Sequence, residues 1–231
     1  MDGLENQGSK LEPYSELKHV LPYHMLSFFN NPKELSKLLS SKNQFQMAGD
    51  RTIIEVGAYL GASSAFFASL VGSSGTVYAI DWWQGLNYAQ IEIVPGTHQE
   101  GWGHKLPLGC SMYDQYLSNM IHLNIANVVY PVLALSKDGA DILIAKGVNS
   151  ADLVYLDADH SYTSVLEDCR TWFPFVSNGR GVLCGDDWGW CAPELGWNYI
   201  LGVNRAVSQF ADENNLTVHV EGVFWWLEEK Q

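Results

Sequence analysis

Five carboxylates in this 231-residue chain lie at or next to the places where short apolar runs stop: Glu55, Asp81, Asp157, Asp186 and Asp187. Carboxylates so placed can accept ribose hydroxyls, pair with an ammonium or sulfonium group, or hold a hard divalent cation. The run Leu156-Asp157-Ala158-Asp159-His160-Ser161-Tyr162 adds an imidazole three residues after Asp157. With an ordinary pKa near 6.5, such a group can take a proton at neutral pH. The run Cys184-Gly185-Asp186-Asp187-Trp188 sets two acids side by side. Three carboxylates without a thiolate suit Mg²⁺ or Mn²⁺ better than Zn²⁺. Without a cation they repel one another, and at least one must bind a proton more tightly than usual.

The elements that would carry these acids alternate. Apolar strand patterns at 52–56, 76–80, 128–132, 153–156 and 182–184 are separated by helical patterns at 63–70, 138–146, 164–175 and 202–214. Two β-rich runs at 217–220 and 223–227 are close enough to form a hairpin. Short apolar strands joined through helices imply parallel pairing, with helices on both faces. The expected fold is therefore α/β: a Rossmann-like, doubly wound, seven-stranded, mostly parallel sheet with a C-terminal antiparallel hairpin. Ligands of such sheets sit outside the carboxyl ends of the strands, where these acids fall.

Ahead of the sheet, residues 1–50 are read as a polar arm over 1–14 followed by N-terminal helices. Apolar spacing over 15–39 predicts two of them, parted at Asn31-Pro32. Residues 51–231 form the second unit, and its long connection at about 82–127 is rich in aromatics and glycine, as a substrate loop would be.

Composition excludes several function classes. The chain is 47% hydrophobic and 17% charged, enough for a core and unlike a disordered segment. A net charge of −13 disfavours a nucleic-acid partner or a basic membrane-docking face. The charge-free stretch 56–80 carries Gly57, Gly61, Gly72 and Gly75 and divides into strand, turn, helix and strand, not a membrane span. Cys110, Cys169, Cys184 and Cys191 show no C-x-x-C spacing, and no signal-like segment opens the sequence. The expectation is a cytoplasmic protein with reduced thiols.

The first glycine turn reads Glu55-Val56-Gly57-Ala58-Tyr59-Leu60-Gly61-Ala62-Ser63. Its spacing differs from G-x-G-x-x-G, and Glu55 would repel a pyrophosphate while suiting an ammonium. Asp81, at the end of the next strand, is placed to accept ribose hydroxyls. Together these residues resemble the class I S-adenosylmethionine-dependent methyltransferases, over roughly residues 50–228. The resemblance implies cofactor contacts from Glu55, Gly57, Gly61, Ser63, Asp81, Trp82, Ser136 and Asp157. Glu55 would lie near the ammonium, Gly57 and Gly61 beside the methionine part, Asp81 on the ribose, Trp82 against adenine and Ser136 at its edge.

D-x-x-H-x-Y followed by Asp186-Asp187, with the D-x-W-x-G run from Asp81 to Gly85, is similar to one subgroup. These are the metal-dependent small-molecule and sugar O-methyltransferases, including macrolide-sugar enzymes and cephalosporin-hydroxylase-related proteins. This likeness implies Asp157, Asp186 and Asp187 as ligands of Mg²⁺ or Mn²⁺ and His160 as general base. The catechol and caffeoyl-CoA enzymes have Asp-Asn and a lysine at these places, so they are a poorer guide to the acceptor. The implied reaction is methyl transfer from S-adenosylmethionine to a hydroxyl of a small molecule. No nucleic-acid or membrane partner is expected; the N-terminal helices would either cover the sheet or pair two copies in a homodimer. Three other readings stay open: a metal-free methyltransferase, an NAD-dependent dehydrogenase on the same sheet, and a non-catalytic S-adenosylmethionine-binding module.

Overall fold

The structure, a computed structural model, describes residues 12–25, 29–42, 50–84, 99–100, 104–105, 111–176 and 181–230. Much of the expected substrate loop lies outside these residues, as do Cys110 and most of the 1–14 arm. Seven strands form one sheet: β1 (Thr52–Val56), β2 (Thr76–Asp81), β3 (Val129–Leu133), β4 (Leu153–Leu156), β5 (Val182–Gly185), β6 (Leu216–Glu221) and β7 (Phe224–Glu229). Their order is β3-β2-β1-β4-β5-β7-β6. The first five run parallel, and β7 pairs antiparallel with both β5 and β6. This is the architecture expected from the alternating pattern. The order reverses beside β1, so the crevice falls at the carboxyl ends of β1, β2 and β4.

Helices α1 (Pro32–Ser41), α2 (Ala62–Val71) and α3 (Met112–His122) cover one face; α4 (Ser136–Ala145), α5 (Tyr162–Trp172) and α6 (Gly202–Glu213) cover the other. The central strands are apolar on both sides, and every residue of β4 and β5 is buried. Leu35, Phe67, Tyr116 and Met120 fill the first layer, while Leu143, Trp172, Ala206 and Phe210 fill the second. Among the described residues, no helix is long and apolar enough to cross a membrane.

Two local expectations are corrected. Helix α3 lies inside the connection read as a loop. Its N-terminus is a capping box, in which Ser111 Oγ accepts from the Asp114 amide and Asp114 accepts from the Ser111 amide. Of the two expected N-terminal helices, α1 is the longer among the described residues; these hold a single helical turn at 12–15 ahead of it, and residues 20–25 are irregular. That stretch instead uses polar side chains of α3: the Leu21 amide donates to Ser118 Oγ at 2.9 Å and the His24 amide to Asn119 Oδ1 at 3.1 Å.

Candidate functional site

The turn after β1 has to fold back sharply beneath the turn after β4. Gly57 takes φ +94°, and a Cβ there would come within 2.0 Å of the Asp157 carbonyl oxygen. Glycine is thus required by backbone approach as well as by conformation. Gly61 also has φ +94°, but a Cβ on it would meet Met120 and Tyr116 of α3. Its open side faces core rather than ligand.

Asp81 locks this turn to the end of β2. Its Oδ2 accepts the amides of Ala58 at 2.9 Å and Tyr59 at 2.8 Å, and its Oδ1 accepts the Trp83 amide at 2.8 Å. Burial raises its pKa, and these amide bonds oppose the rise. Tyr59 and Trp83 both sit at positive φ, and the Trp83 indole N–H donates to the Tyr59 carbonyl at 2.6 Å. The two turns are therefore one interlocked unit.

That unit forms the floor of a cleft of about 930 Å³ across the carboxyl ends of the parallel strands. Gly57, Ser63, Asp81, Trp82, Ser136, Asp157, His160, Asp186 and Asp187 all line it. Glu55 and Gly61 do not. Glu55 is 0% exposed and accepts a hydrogen bond from Ser64 Oγ on α2. Burial pushes its carboxyl up to about 8, so at neutral pH it holds a proton. Strand alternation turns it into the layer beneath α2, away from the position that would face an ammonium.

Trp82 projects into the cleft with 40% of its surface exposed. Ser136 opens α4 on the opposite wall, where its hydroxyl donates to Asp168 and accepts the Trp172 indole N–H at 2.8 Å. Asp168 also lines the cleft, and burial raises it to about 7. It lies mid-helix on α5, eleven residues beyond Asp157, and no strand-end rule singles it out.

At the far end, Asp157 and Asp187 flank His160. The imidazole Nε2 stands 2.7 Å from Asp187 Oδ2 and 3.8 Å from Asp157 Oδ1. One ligand atom from each of the three lies within 4.8 Å of the others. Burial disfavours the imidazolium, but hydrogen bonds and charge from both acids outweigh it and raise His160 far above its ordinary value. Between these two acids the protonated form of His160 is favoured. Its ring also lies 5.0 Å from that of Trp190.

Asp187 occupies the left-handed region at φ 60°, and its carboxylate Oδ2 faces His160. Asp186 turns inward: Oδ1 accepts the Asp187 amide at 2.8 Å, and Oδ2 lies 3.5 Å from the Tyr155 hydroxyl. Burial raises it to about 7, and the nearby Asp157 adds to this. The compact trio is therefore Asp157, His160 and Asp187, not the three acids expected from spacing. The two carboxylates of this trio still fit Mg²⁺ or Mn²⁺, whose ligands are predominantly oxygen. Asp159 takes no part in the trio; it accepts the Ser161 amide at 2.8 Å and the Ser164 hydroxyl at 3.0 Å at the start of α5.

A family model described as a methyltransferase domain matches residues 54–188. Among solved structures, the fold is similar to that of an O-methyltransferase from Bacillus cereus in complex with SAH. That pair shares 18% identity over 96% of this chain and 89% of the other, with a TM-score of 0.58. It is also similar to TomG of Streptomyces achromogenes, an O-methyltransferase involved in tomaymycin synthesis and solved with SAM (18% identity, 96% and 88% covered, TM-score 0.57). A third is CalS11, a calicheamicin methyltransferase (16% identity, 100% and 95% covered, TM-score 0.55). No curated protein matches the chain.

Proposed function

The chain belongs to the methyltransferase-domain family, and on that premise we propose that it transfers the methyl group of S-adenosylmethionine to a hydroxyl of a small molecule, assisted by a divalent cation. The observation that carries this reading is the meeting of Asp81, Trp82, Ser136, Asp157, His160 and Asp187 in one cleft of about 930 Å³. Solved structures with this fold include O-methyltransferases in complex with SAH and with SAM, in line with that choice of donor.

The cofactor half lies between the β1 turn and α4. The first amides of α2 and the Ser63 hydroxyl would face the methionine carboxylate, since a helix N-terminus favours an anion. The Asp157 carboxylate lines the same corner and takes the ammonium role first expected of Glu55. Asp81 receives the ribose, although three backbone amides already use most of its acceptor capacity. The exposed indole of Trp82 offers a face for adenine, and Ser136 and Asp168 bound its edge.

The acceptor half lies around His160. Asp157 and Asp187 would hold Mg²⁺ or Mn²⁺, with Asp186 adding negative charge behind them. A cation held there would lower the pKa of the acceptor hydroxyl. With those two carboxylates engaged by a cation, His160 would be released from them and its imidazole would serve as the general base for the acceptor proton. Phe29 and Trp190 provide apolar wall on the same side of the cleft. Alignment of hydroxyl and methyl by these walls supplies the remainder of the acceleration.

The test is methyl transfer from radiolabelled S-adenosylmethionine to a panel of sugar and phenolic hydroxyl compounds, with and without chelator. Chelator-sensitive transfer supports the full reading. Chelator-insensitive transfer removes the cation, and binding without transfer to any acceptor removes the enzyme.

A further inference from the structure

Asn31 stands at the N-cap of α1, where an asparagine side chain ordinarily accepts an amide of the first helical turn. Here it makes no such bond. Its amide instead points inward: Asn31 is 1% exposed, and its Oδ1 accepts from the Tyr155 hydroxyl at 3.2 Å. The same hydroxyl lies 3.5 Å from Asp186 Oδ2. Asn31 Nδ2 is buried without a hydrogen-bond partner, and burying an unsatisfied donor costs on the order of 1–3 kcal/mol. A cap bond is thus forgone and a donor left unpaired, both to bring this side chain against Tyr155.

One arrangement pairs the buried donor. A half-turn of the Asn31 amide exchanges its oxygen and nitrogen. Nδ2 then donates to the Tyr155 oxygen, which leaves the single phenolic proton for Asp186 Oδ2. The Tyr155 hydroxyl then accepts from Asn31 and donates to Asp186, so the three side chains form one directed relay ending at the carboxylate. Tyr155 is further fixed by its ring, which meets Phe29 edge-on at 6.0 Å and Phe67 at 5.3 Å. Phe29 and Asn30 line the cleft itself. The N-terminal segment therefore touches Tyr155 at both ends, by ring and by hydroxyl.

We propose that Asn31 and Tyr155 are positioning residues that orient the Asp186 carboxylate and tie the N-terminal segment to the acidic end of the cleft. The inference rests on the reading of that end as a divalent-cation site. Hydrogen-bonded partners behind metal-facing carboxylates typically change affinity 10- to 100-fold. Because Asp186 stands behind the compact trio, the lower end applies.

The experiment is a Mn²⁺ titration of the full chain, followed by electron paramagnetic resonance, on wild type, Tyr155→Phe, Asn31→Ala and the double variant. S-adenosylhomocysteine affinity and denaturation midpoints are measured alongside. Each single variant is expected to bind Mn²⁺ roughly tenfold more weakly. The double variant is expected to be no weaker than the worse single one, because links in series do not add. Cofactor affinity stays within about twofold. Tyr155→Phe removes one oxygen and keeps both ring contacts, so it carries the test alone if Asn31→Ala does not fold. Unchanged Mn²⁺ affinity in Tyr155→Phe, with or without a lower midpoint, overturns the proposal, as do losses that multiply in the double variant. A wild type that binds no Mn²⁺ overturns both the cation reading and this one; a wild type that binds it equally with all variants overturns this one only.

Discussion

Asp81→Ala separates a structural from a ligand-binding effect at the centre of the cleft. The carboxylate accepts three backbone amides, from Ala58, Tyr59 and Trp83, all at 2.8–2.9 Å. Alanine leaves all three donors without it. An unsatisfied buried donor costs about 1–3 kcal/mol, and the open cleft lets water replace part of the loss. A total of roughly 3 kcal/mol follows, a large share of a typical stability. The interlocked turns should loosen with it, since Trp83 and Tyr59 are held at positive φ by the same bonds. Asp81→Asn keeps one acceptor oxygen but opposes an amide NH₂ to a backbone N–H, for about half that cost. Urea unfolding gives the stability, and calorimetry with S-adenosylhomocysteine gives the affinity, expected to fall at least ~30-fold in Asp81→Ala, or about 2 kcal/mol. Stability within about 0.5 kcal/mol of wild type would refute the locking role. Affinity within about twofold would refute the ribose role independently.

Further outcomes follow from other contacts. Gly57→Ala should fail to accumulate as folded protein or lose several kcal/mol by denaturant unfolding, because its methyl would overlap the Asp157 carbonyl at 2.0 Å. The Glu55 carboxyl is raised from an ordinary 4.5 to about 8 by burial. Its protonated form is favoured in the fold, so stability declines as pH rises between those values, by at most roughly 5 kcal/mol. Glu55→Gln should flatten this decline in urea midpoints measured from pH 5 to 8, and an unchanged slope would contradict the assignment. His160→Ala leaves Asp157 and Asp187 facing one another without their imidazolium. Thermal unfolding should show a loss of roughly 1–2 kcal/mol, recovered on adding Mg²⁺, and methyl transfer should fall about 10²- to 10⁴-fold.

The parallel strands were legible because each is a short apolar run, all but β3 closed by glycine or an acid, and the order of helices between them leaves few topologies. Helix α3 was not, because the residues it buries are polar as well as apolar. Gln115, Ser118 and Asn119 are all buried, and they pair with the N-terminal segment, which hides the helical period. The Ser111–Asp114 box was the available signal. The same polar packing explains why residues 20–25 do not continue as a helix despite Leu17, Val20 and Leu21. At the cleft, spacing located the strand ends but not side-chain direction. β1 is apolar on both faces, so alternation could not tell that Glu55 turns away while Asp81 and Asp157 line the crevice. The adjacent Asp186 and Asp187 likewise part company, Asp186 turning toward Tyr155 and Asp187 toward His160.

The most direct measurement is a calorimetric titration of the intact chain with S-adenosylmethionine and, separately, with NAD. Saturable one-to-one binding of the first, absent for the second and strongly weakened in Asp81→Ala, is the predicted result. Binding of NAD in its place, or of neither, would contradict the assignment of this cleft to an adenosyl methyl donor.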